Sequence, residues 1–360
     1  MNIAVLVKQI SGEGGPSMDS LSRRAVAQGA ELAAAVGDGV CTAVTLGPPE
    51  AEDVVREAAA WGRICSVMTF GVLIIDPQVD GADGLAPAQT IAQALRREGP
   101  FDLVLLGARA EDGGTGLLGP QVGELLDLPF VDSARYLSMQ ATSIHVRAEQ
   151  GDGWLQATVE LPAVVSCAAG LIDPCEASPA ARDLVPRERI RTISTADLGP
   201  APPGLEVAQA PKTSSGPIAV VGEPGRPDVT AALLAVGADR ASTAGRQVVA
   251  ITTTDATDAL SADEIVYVSG DVQPEDVAHA VAEWSLGTSP SAVLAPDTAW
   301  GREVAGRVAV RLGTMAPITT IDPPSGSALP ARELVTPRLM TITVRPRNRV
   351  RVVSRTRRTA

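Results

Sequence analysis

A glycine-rich stretch between an apolar run and a helical pattern carries the residues best suited to chemistry in this sequence. It reads GARAEDGGTG from Gly107 to Gly116, and Gly119-Pro120 follow. Glycines let backbone N–H groups approach a phosphate closely, and the N-terminus of the next helix adds positive potential. Thr115 offers a hydroxyl donor, and Arg109 a cation for a base or a phosphate. The pattern predicts a nucleotide-phosphate cradle, with a plain glycine-rich turn as an equally supported alternative.

The stretch matches neither of two common phosphate-binding motifs. No Gly-Lys-Ser/Thr follows it, as a Walker loop requires, and it lacks the G-x-G-x-x-G of dinucleotide-binding folds. Glu111 and Asp112 would repel a phosphate if they pointed inward, so we expect them to face ribose hydroxyls or solvent. The related loop of the second half has fewer glycines, and there we expect Asp297 or Thr298 only to cap the next helix.

The other chemistry-bearing residues show no catalytic or metal-binding arrangement. His145 and His279 lie far apart in the sequence, and the four cysteines have neither CxxC nor Cys/His spacing. We therefore expect no catalytic residue, no metal site, and cysteines that act as small hydrophobic residues in a reducing cytoplasm. Among the 30 basic residues only Lys8 and Lys212 are lysines, which we attribute to genome composition.

The composition excludes several classes of protein. The 360 residues suffice for two domains, and 45% of them are hydrophobic. A net charge of −12 with only 2% aromatic residues argues against nucleic-acid binding, because cationic field and stacking platforms are both missing. No run of about 18 apolar residues is present, so no membrane span is predicted. The first residues are too short for a signal peptide and indicate a buried strand.

The elements around the glycine-rich stretch alternate between strand and helix. Ile3–Lys8, Val40–Leu46 and Asp102–Leu106 are predicted strands, and Ser20–Ala35 is a predicted helix capped by Asp19 or Ser20. This alternation predicts an α/β fold with a doubly wound parallel sheet. The other predicted elements of this half are helices Ala51–Trp61 (ended by Gly62), Ala86–Arg97 and Pro120–Leu126, and strands Ile64–Phe70 and Ala163–Ala168.

The pattern changes after Val131. Two strands, His145–Ala148 and Trp154–Glu160, flank Gln150–Gly153 and predict a hairpin. A second alternating unit follows, and it ends in a predicted hairpin of Leu334–Thr336 and Leu339–Val344. Because its strand–loop–helix order repeats that of the first half, we expect two copies of one fold. The alternative is that two unrelated α/β domains look alike at this level.

Seven arginines follow Val344, and those from Arg345 to Arg351 alternate with other residues. In a strand this spacing places them on one face. The favoured interpretation is a solvated edge strand with a frayed tail. The alternative is a docking strip for an acidic partner or a phosphate group.

Several stretches of the first half agree in order and spacing with one protein family. They are Ile3–Gln9, Leu46–Ala58, Gly81–Asp83, Asp102–Gly107, Asp112–Gln121, Leu161–Val165 and Asp197–Gly199. On these stretches the first 200 or so residues resemble the β subunit of electron transfer flavoproteins. The second half resembles the first domain of the α subunit, at Gly301–Thr314 and Met340–Pro346.

The resemblance implies a fusion of two homologous domains packed as a pseudo-twofold pair. Each is expected to be adenine nucleotide α-hydrolase-like, with a doubly wound parallel sheet and a β-hairpin extension. The expected boundaries are 1–198 for the β-like domain, 199–216 for the linker, and 217–360 for the α-like domain with its basic tail. No counterpart of the α subunit's FAD-binding domain follows, so we expect either that another polypeptide supplies it or that this protein does not bind FAD in the usual place. Asp173–Ala180 matches the β subunit's docking loop but lacks its leucine.

The resemblance also implies a nucleotide site in the β-like domain, holding AMP, or FAD as in electron-bifurcating members. Gly113-Gly114 here replace a Gly-Asp or Asp-Asp pair, and Leu117 replaces a Gln. The chain is expected to be an electron carrier and not an enzyme, working with a flavin-bearing partner subunit or dehydrogenase and a downstream electron acceptor. The alternative is a flavin-free AMP- or ATP-binding scaffold or sensor. Carried over by position, the site consists of Leu6, Asp19, Ser20, Leu46, Arg109, Ala110, Glu111, Asp112, Gly113, Gly114, Thr115, Gly116, Leu117 and Leu118.

Overall fold

A computed structural model describes most of the chain, which divides into two compact units. One unit comprises Met1–Glu206 with Arg349–Ala360, and the other comprises Val207–Asn348. From residue 318 onward the description is of the strand backbone alone. The described residues are 1–12, 15–76, 85–112, 114–150, 153–199, 214–253, 261–269, 273–313, 318–321, 338–343 and 350–357.

The first unit is built on one large sheet flanked by helices. The strands of this unit are β1 (Asn2–Leu6), β2 (Gln9–Gly12), β3 (Gly15–Met18), β4 (Val40–Leu46), β5 (Met68–Ile75), β6 (Leu103–Gly107), β7 (Phe130–Gln140), β8 (Ser143–Gln150), β9 (Gly153–Glu160), β10 (Ala163–Cys167) and β11 (Ile190–Ser194). Of these, β2 and β3 form a separate antiparallel pair outside the large sheet. The helices of this unit are α1 (Ser20–Val36), α2 (Glu52–Ile64), α3 (Leu85–Glu98), α4 (Leu118–Leu125) and α5 (Pro179–Asp183).

The expected doubly wound α/β arrangement is confirmed in this sheet. Its strand order is β11-β5-β4-β1-β6-β10-β7-β8-β9. Neighbours from β11 to β7 pair in parallel, whereas β7, β8 and β9 form an antiparallel meander that contains the expected hairpin. The chain moves from β1 to β4 and β5 on one side, and then returns to β6 on the other side of β1. The winding direction therefore reverses between β1 and β6, where parallel sheets bind their ligands.

The helix boundaries show one correction. The predicted helix Ala51–Trp61 does not end at Gly62, because α2 continues to Ile64 and the following strand starts only at Met68. A Cβ on Gly62 would clash with Oγ1 of Thr69. Glycine at this position therefore permits close packing of α2 on β5 and does not terminate the helix.

The second unit has one all-parallel sheet and three helices. Its elements are β12 (Ile218–Val221), β13 (Val248–Thr252), β14 (Glu264–Ser269), β15 (Ala292–Pro296), β16 (Ile318–Ile321), β17 (Arg338–Thr343), α6 (Pro227–Ala244), α7 (Pro274–Thr288) and α8 (Ala299–Leu312), as far as the chain is described. The strand order is β16-β15-β12-β13-β14-β17, so the first strand of the sheet lies between the second and the fourth, as in the first unit. The strand predicted at Leu339–Val344 is found as β17, but it pairs in parallel with β14; its predicted hairpin partner Leu334–Thr336 lies outside the described residues.

The arginine-rich tail contributes a strand to the first unit. β18 (Val350–Arg357) pairs antiparallel with β9, and it is the last strand of that sheet. The expected domain 217–360 therefore differs from the observed unit at this end. Arg345, Arg347 and Arg349 lie outside the described residues, and of this run only Arg351 falls within β18, so the alternation on one face stays a prediction.

A buried carboxylate joins three helices of the first unit. The Glu57 side chain in α2 is 1% exposed and lies 2.6 Å from Nη1 of Arg23 in α1 and 2.6 Å from Nη2 of Arg182 in α5. Burial raises the pKa of the Glu57 carboxyl, although the two guanidinium groups act to lower it. The two arginines share this one carboxylate, so its loss leaves both without their ion pair.

We expect Glu57→Gln to lower the free energy of unfolding by about 3 kcal/mol, because removing one partner of a buried ion pair strands the other charges. Urea unfolding measures the change. Glu52→Gln is the matched control, since Glu52 forms a half-exposed ion pair with Arg56 in the same helix. The control should cost at most about 1 kcal/mol. Equal losses in the two variants would contradict the assigned role of Glu57.

The cysteines give a second prediction. All four are free, and burial raises the pKa values of Cys41, Cys167 and Cys175 to about 12. Because the thiolate is the reacting species, iodoacetamide at about pH 8 should modify half-buried Cys65 first. The other three should react only in denaturant. Mass spectrometry of tryptic peptides provides the measurement, and rapid modification of Cys167 in the native protein would refute the prediction.

Candidate functional site

The glycine-rich stretch begins where the winding of the first sheet reverses. β6 ends at Gly107 beside β1, and Leu106 pairs with Leu6 in parallel register. The loop that follows β1 and the turn that follows β6 therefore start from neighbouring strand ends. In open α/β sheets the crevice between two such loops is the usual ligand site.

Asp19 connects these two loops. This side chain is 1% exposed and caps α1, since its Oδ2 accepts a hydrogen bond from the Ser22 N–H at 2.9 Å. Its Oδ1 accepts from the Glu111 N–H, also at 2.9 Å. The α1 dipole favours a carboxylate at this end of the helix. One side chain thus holds the start of α1 and the turn after β6 together. Of the two cap residues predicted for α1, Asp19 is the one that caps it.

The two acidic side chains of the turn face the start of α1 and the loop after β1. The Ser20 hydroxyl, in the first residue of α1, donates to Oε1 of Glu111, and Nζ of Lys8, in the loop, lies 2.7 Å from Oδ1 of Asp112. Glu111 and Asp112 were expected to face ribose hydroxyls or solvent. Both are exposed, and each contacts one of these two side chains. These contacts leave neither carboxylate aimed at the turn's own backbone N–H groups.

Close packing explains two of the glycines. A Cβ on Gly107 would lie 2.9 Å from Cβ of Leu21, and a Cβ on Gly114 would lie 2.9 Å from the backbone N of Ala110. The Gly114 N–H donates to the Ala110 carbonyl at 3.2 Å and closes the turn. Gly116 has a φ of 73°, a conformation that favours glycine. The glycines therefore let the turn fold tightly against α1.

The start of α4 offers backbone donors. Within the described residues no side chain caps its first turn, and that turn contains no acidic residue. The Leu117 N–H donates to Oγ1 of Thr115 at 3.4 Å, so Thr115 acts as an acceptor here. Because Pro120 has no N–H, the donors of this turn that find no acceptor among the described residues belong to Leu118 and Gly119. Helix N-termini of this kind suit an anion.

The remaining residues carried over to the site are placed as follows. Leu6 is buried at the end of β1, and Arg109 is exposed on the turn. Leu46 is half-buried at the end of β4 and pairs with Ile74, so β1 separates it from the turn after β6. Gly113 lies outside the described residues. Lys8 was not among the residues predicted for the site. Its place at the end of the first predicted strand indicates the ligand-binding end of a parallel sheet but does not indicate its partner Asp112.

In the second unit, side chains of the protein occupy the position that corresponds to the candidate anion site of the first unit. Glu223 follows β12, is 7% exposed, and accepts a hydrogen bond from Oγ1 of Thr298 at 2.9 Å. Oγ1 of Thr298 also accepts from the Gly301 N–H at 3.0 Å, which confirms the expected cap of α8. A buried carboxylate beside this helix start disfavours a second anion there. The first unit is therefore the better candidate for anion binding.

Neither a metal centre nor a membrane helix appears in the described part of the chain. No three His, Cys, Asp or Glu side chains in it come together as metal ligands. Of the helices described, none has both the length and the apolar character to span a membrane.

Comparison with known proteins places the first unit in a family. Residues 8–197, just over half of the chain, match the model of the electron transfer flavoprotein domain. The electron transfer flavoprotein subunit beta of Megasphaera elsdenii is 26% identical over 196 residues, 48% of this chain and 71% of the relative. The acryloyl-CoA reductase electron transfer subunit gamma of Anaerotignum propionicum is 34% identical over 128 residues, 35% of this chain and 46% of the relative.

A third relative, the electron transfer flavoprotein subunit beta of Bacillus subtilis, is 31% identical over 136 residues, which cover 38% of this chain and 51% of the relative. The matches to the second and third relatives thus span about half of their length. The family match includes Lys8, Asp19 and the whole turn from Gly107 to Gly116. The chain belongs to the electron transfer flavoprotein family.

Proposed function

We propose that this chain is an electron-transfer component that binds an adenine nucleotide, AMP or FAD, in its first unit and works with a flavin-bearing partner. The observation that carries the proposal is the joint made by Asp19 between α1 and the turn after β6. This joint lies at the reversal of the sheet and inside the region that matches the family. It sets the carboxylates toward the loop after β1 and leaves the start of α4 to an anion.

In the proposed complex the nucleotide phosphate binds at the start of α4. Leu118 and Gly119 donate from the backbone, and Gly114 and Gly116, which carry no side chain, let the turn approach the phosphate closely. Arg109 is positioned on the same turn to contact a base or a phosphate. A bound flavin would supply the redox chemistry, whereas AMP would serve only as a structural ligand. The residues of this chain bind and orient, and none is assigned a role in breaking bonds.

The partners are proposed from the relatives. One relative is by name an electron transfer subunit of acryloyl-CoA reductase. We therefore assign to this chain a flavin-bearing subunit or dehydrogenase and a downstream electron acceptor. We further propose that residues 1–198 form the β-like domain, that 199–216 are the linker, and that the part of the second unit from 217 onward is the α-like domain. The four free thiols are consistent with the cytoplasm as the location.

The direct test is to denature the purified protein and to identify the released small molecule by chromatography and absorbance. Titration of the emptied protein with AMP, ADP and FAD then gives the affinities. We expect about one adenine nucleotide per chain, as the single candidate site implies. A released flavin supports the electron carrier, whereas AMP or ATP without flavin, alone and with partners, favours the scaffold alternative. The proposal would be refuted if the purified protein released no nucleotide and the emptied protein bound none.

A variant of Asp19 tests the joint itself. We expect Asp19→Ala to weaken AMP binding by about tenfold, because the turn after β6 loses its tie to α1, and to lower the stability by about 1 kcal/mol through the lost cap. Thr298→Ala is the matched control, since it removes the corresponding cap of α8 in the second unit. The control should lose similar stability and retain AMP affinity. Equal affinities in the two variants would count against the assigned site.

A further inference from the structure

Lys8 is one of the few lysines of the chain and lies beside the turn of the candidate site. Only two of the 30 basic residues of the chain are lysines, and Lys8 directly follows β1 and the buried Val7. Its ammonium group lies 2.7 Å from Oδ1 of Asp112 on the turn after β6, and both side chains are partly exposed, at 50% and 38%. Exposed ion pairs of this kind are weak. The contact can therefore be exchanged for another anion at low cost.

The backbone of Lys8 is fixed while its side chain is not. The Lys8 N–H donates to Oγ of Ser22 at 3.2 Å, and its carbonyl accepts from the Asp19 N–H at 2.9 Å. Both partners belong to the start of α1. The residue is thus anchored at the joint between the two loops, and only the flexible four-carbon side chain has to move for the ammonium to change partners.

A cation at this point offsets part of the negative charge around the site. Asp19, Glu111 and Asp112 bring three carboxylates to the loops around the proposed phosphate position. A phosphate that enters is repelled by these groups unless a nearby cation compensates. An arginine would hold Asp112 in a two-pronged contact, whereas the compact ammonium of lysine makes a contact that is easily broken and remade.

We propose that Lys8 exchanges between two anions: it pairs with Asp112, as seen in the structure, and transfers to the phosphate of a nucleotide that binds at the start of α4. The inference rests on the proposed nucleotide site and specifies its ligand as a phosphorylated nucleoside. Asp112, once released, is left to accept a hydrogen bond from a ribose hydroxyl. Lys8 accordingly selects for the phosphate and contributes nothing to the binding of the nucleoside.

Isothermal titration of AMP and of adenosine to wild type, Lys8→Gln and Lys8→Arg tests the exchange. We expect Lys8→Gln to lower AMP affinity by about tenfold and adenosine affinity by less than about twofold, because only AMP carries the charge that Lys8 contacts. Lys8→Arg should restore part of the AMP affinity. Higher salt should weaken AMP binding by wild type more than by Lys8→Gln.

A further variant tests the competition between the two anions, and another serves as the control. Asp112→Asn removes the negative charge that competes for Lys8 but keeps a side-chain oxygen that can accept from the ribose hydroxyl, so it should raise AMP affinity, by at most about fivefold. Arg63→Gln is the control, because it also removes one positive charge. Arg63 lies near the C-terminus of α2, at the end of the sheet where the parallel strands begin and away from the site, so this variant should leave AMP affinity unchanged. Thermal unfolding of Lys8→Gln near the wild-type midpoint confirms that the variant is folded.

Three results would overturn the exchange while leaving the nucleotide site intact. They are an unchanged AMP affinity in Lys8→Gln, an equal loss of AMP and adenosine affinity, and a loss in Asp112→Asn as large as that in Lys8→Gln. The last would mean that the ion pair itself maintains the site. A wild-type protein that binds neither AMP, ADP nor FAD would instead refute the proposed function, and the role of Lys8 with it.

Discussion

The candidate site depends on one buried carboxylate. Asp19 satisfies two backbone N–H groups from distant parts of the chain, one at the start of α1 and one in the turn after β6. Burial makes both hydrogen bonds strong and makes the loss of either one costly. The same contact decides where negative charge lies, because it occupies the positive end of α1 and leaves that of α4 open. Loop position and site electrostatics thus have a common cause.

Most of the first unit's framework was predictable from local pattern. An apolar run predicts the strand Val40–Leu46, and helical spacing of apolar residues predicts the helix Ser20–Ala35. Asp19 directly precedes that helix and is a residue type that favours the cap position. Gly62 was wrongly predicted to end its helix, because the local sequence does not show that Thr69 packs against this glycine. β7 was missed because Asp132 and Ser133 interrupt its pattern: there the strand passes from parallel to antiparallel pairing, with Ser133 at a φ of 59°.

The candidate site was predictable only in part. Residues of the turn after β6 were chosen from glycine spacing and from the family resemblance. The significance of Lys8 depends on a partner 104 positions away, which no local pattern reveals. The second unit shows that a site cannot be predicted from the fold alone. Its strand order matches that of the first unit, yet Glu223 and Thr298 fill the corresponding place, so a shared fold does not transfer a site.

The pairing of β18 with β9 has a consequence for biosynthesis. β9 leaves the ribosome roughly 190 residues before its neighbour does, so its outer edge stays without a strand while the entire second unit is being made. An unpaired edge of this kind is a template for intermolecular β-pairing. The first unit reaches its complete sheet only when the last strand arrives, which makes translation speed and chaperone access part of the folding problem of this chain.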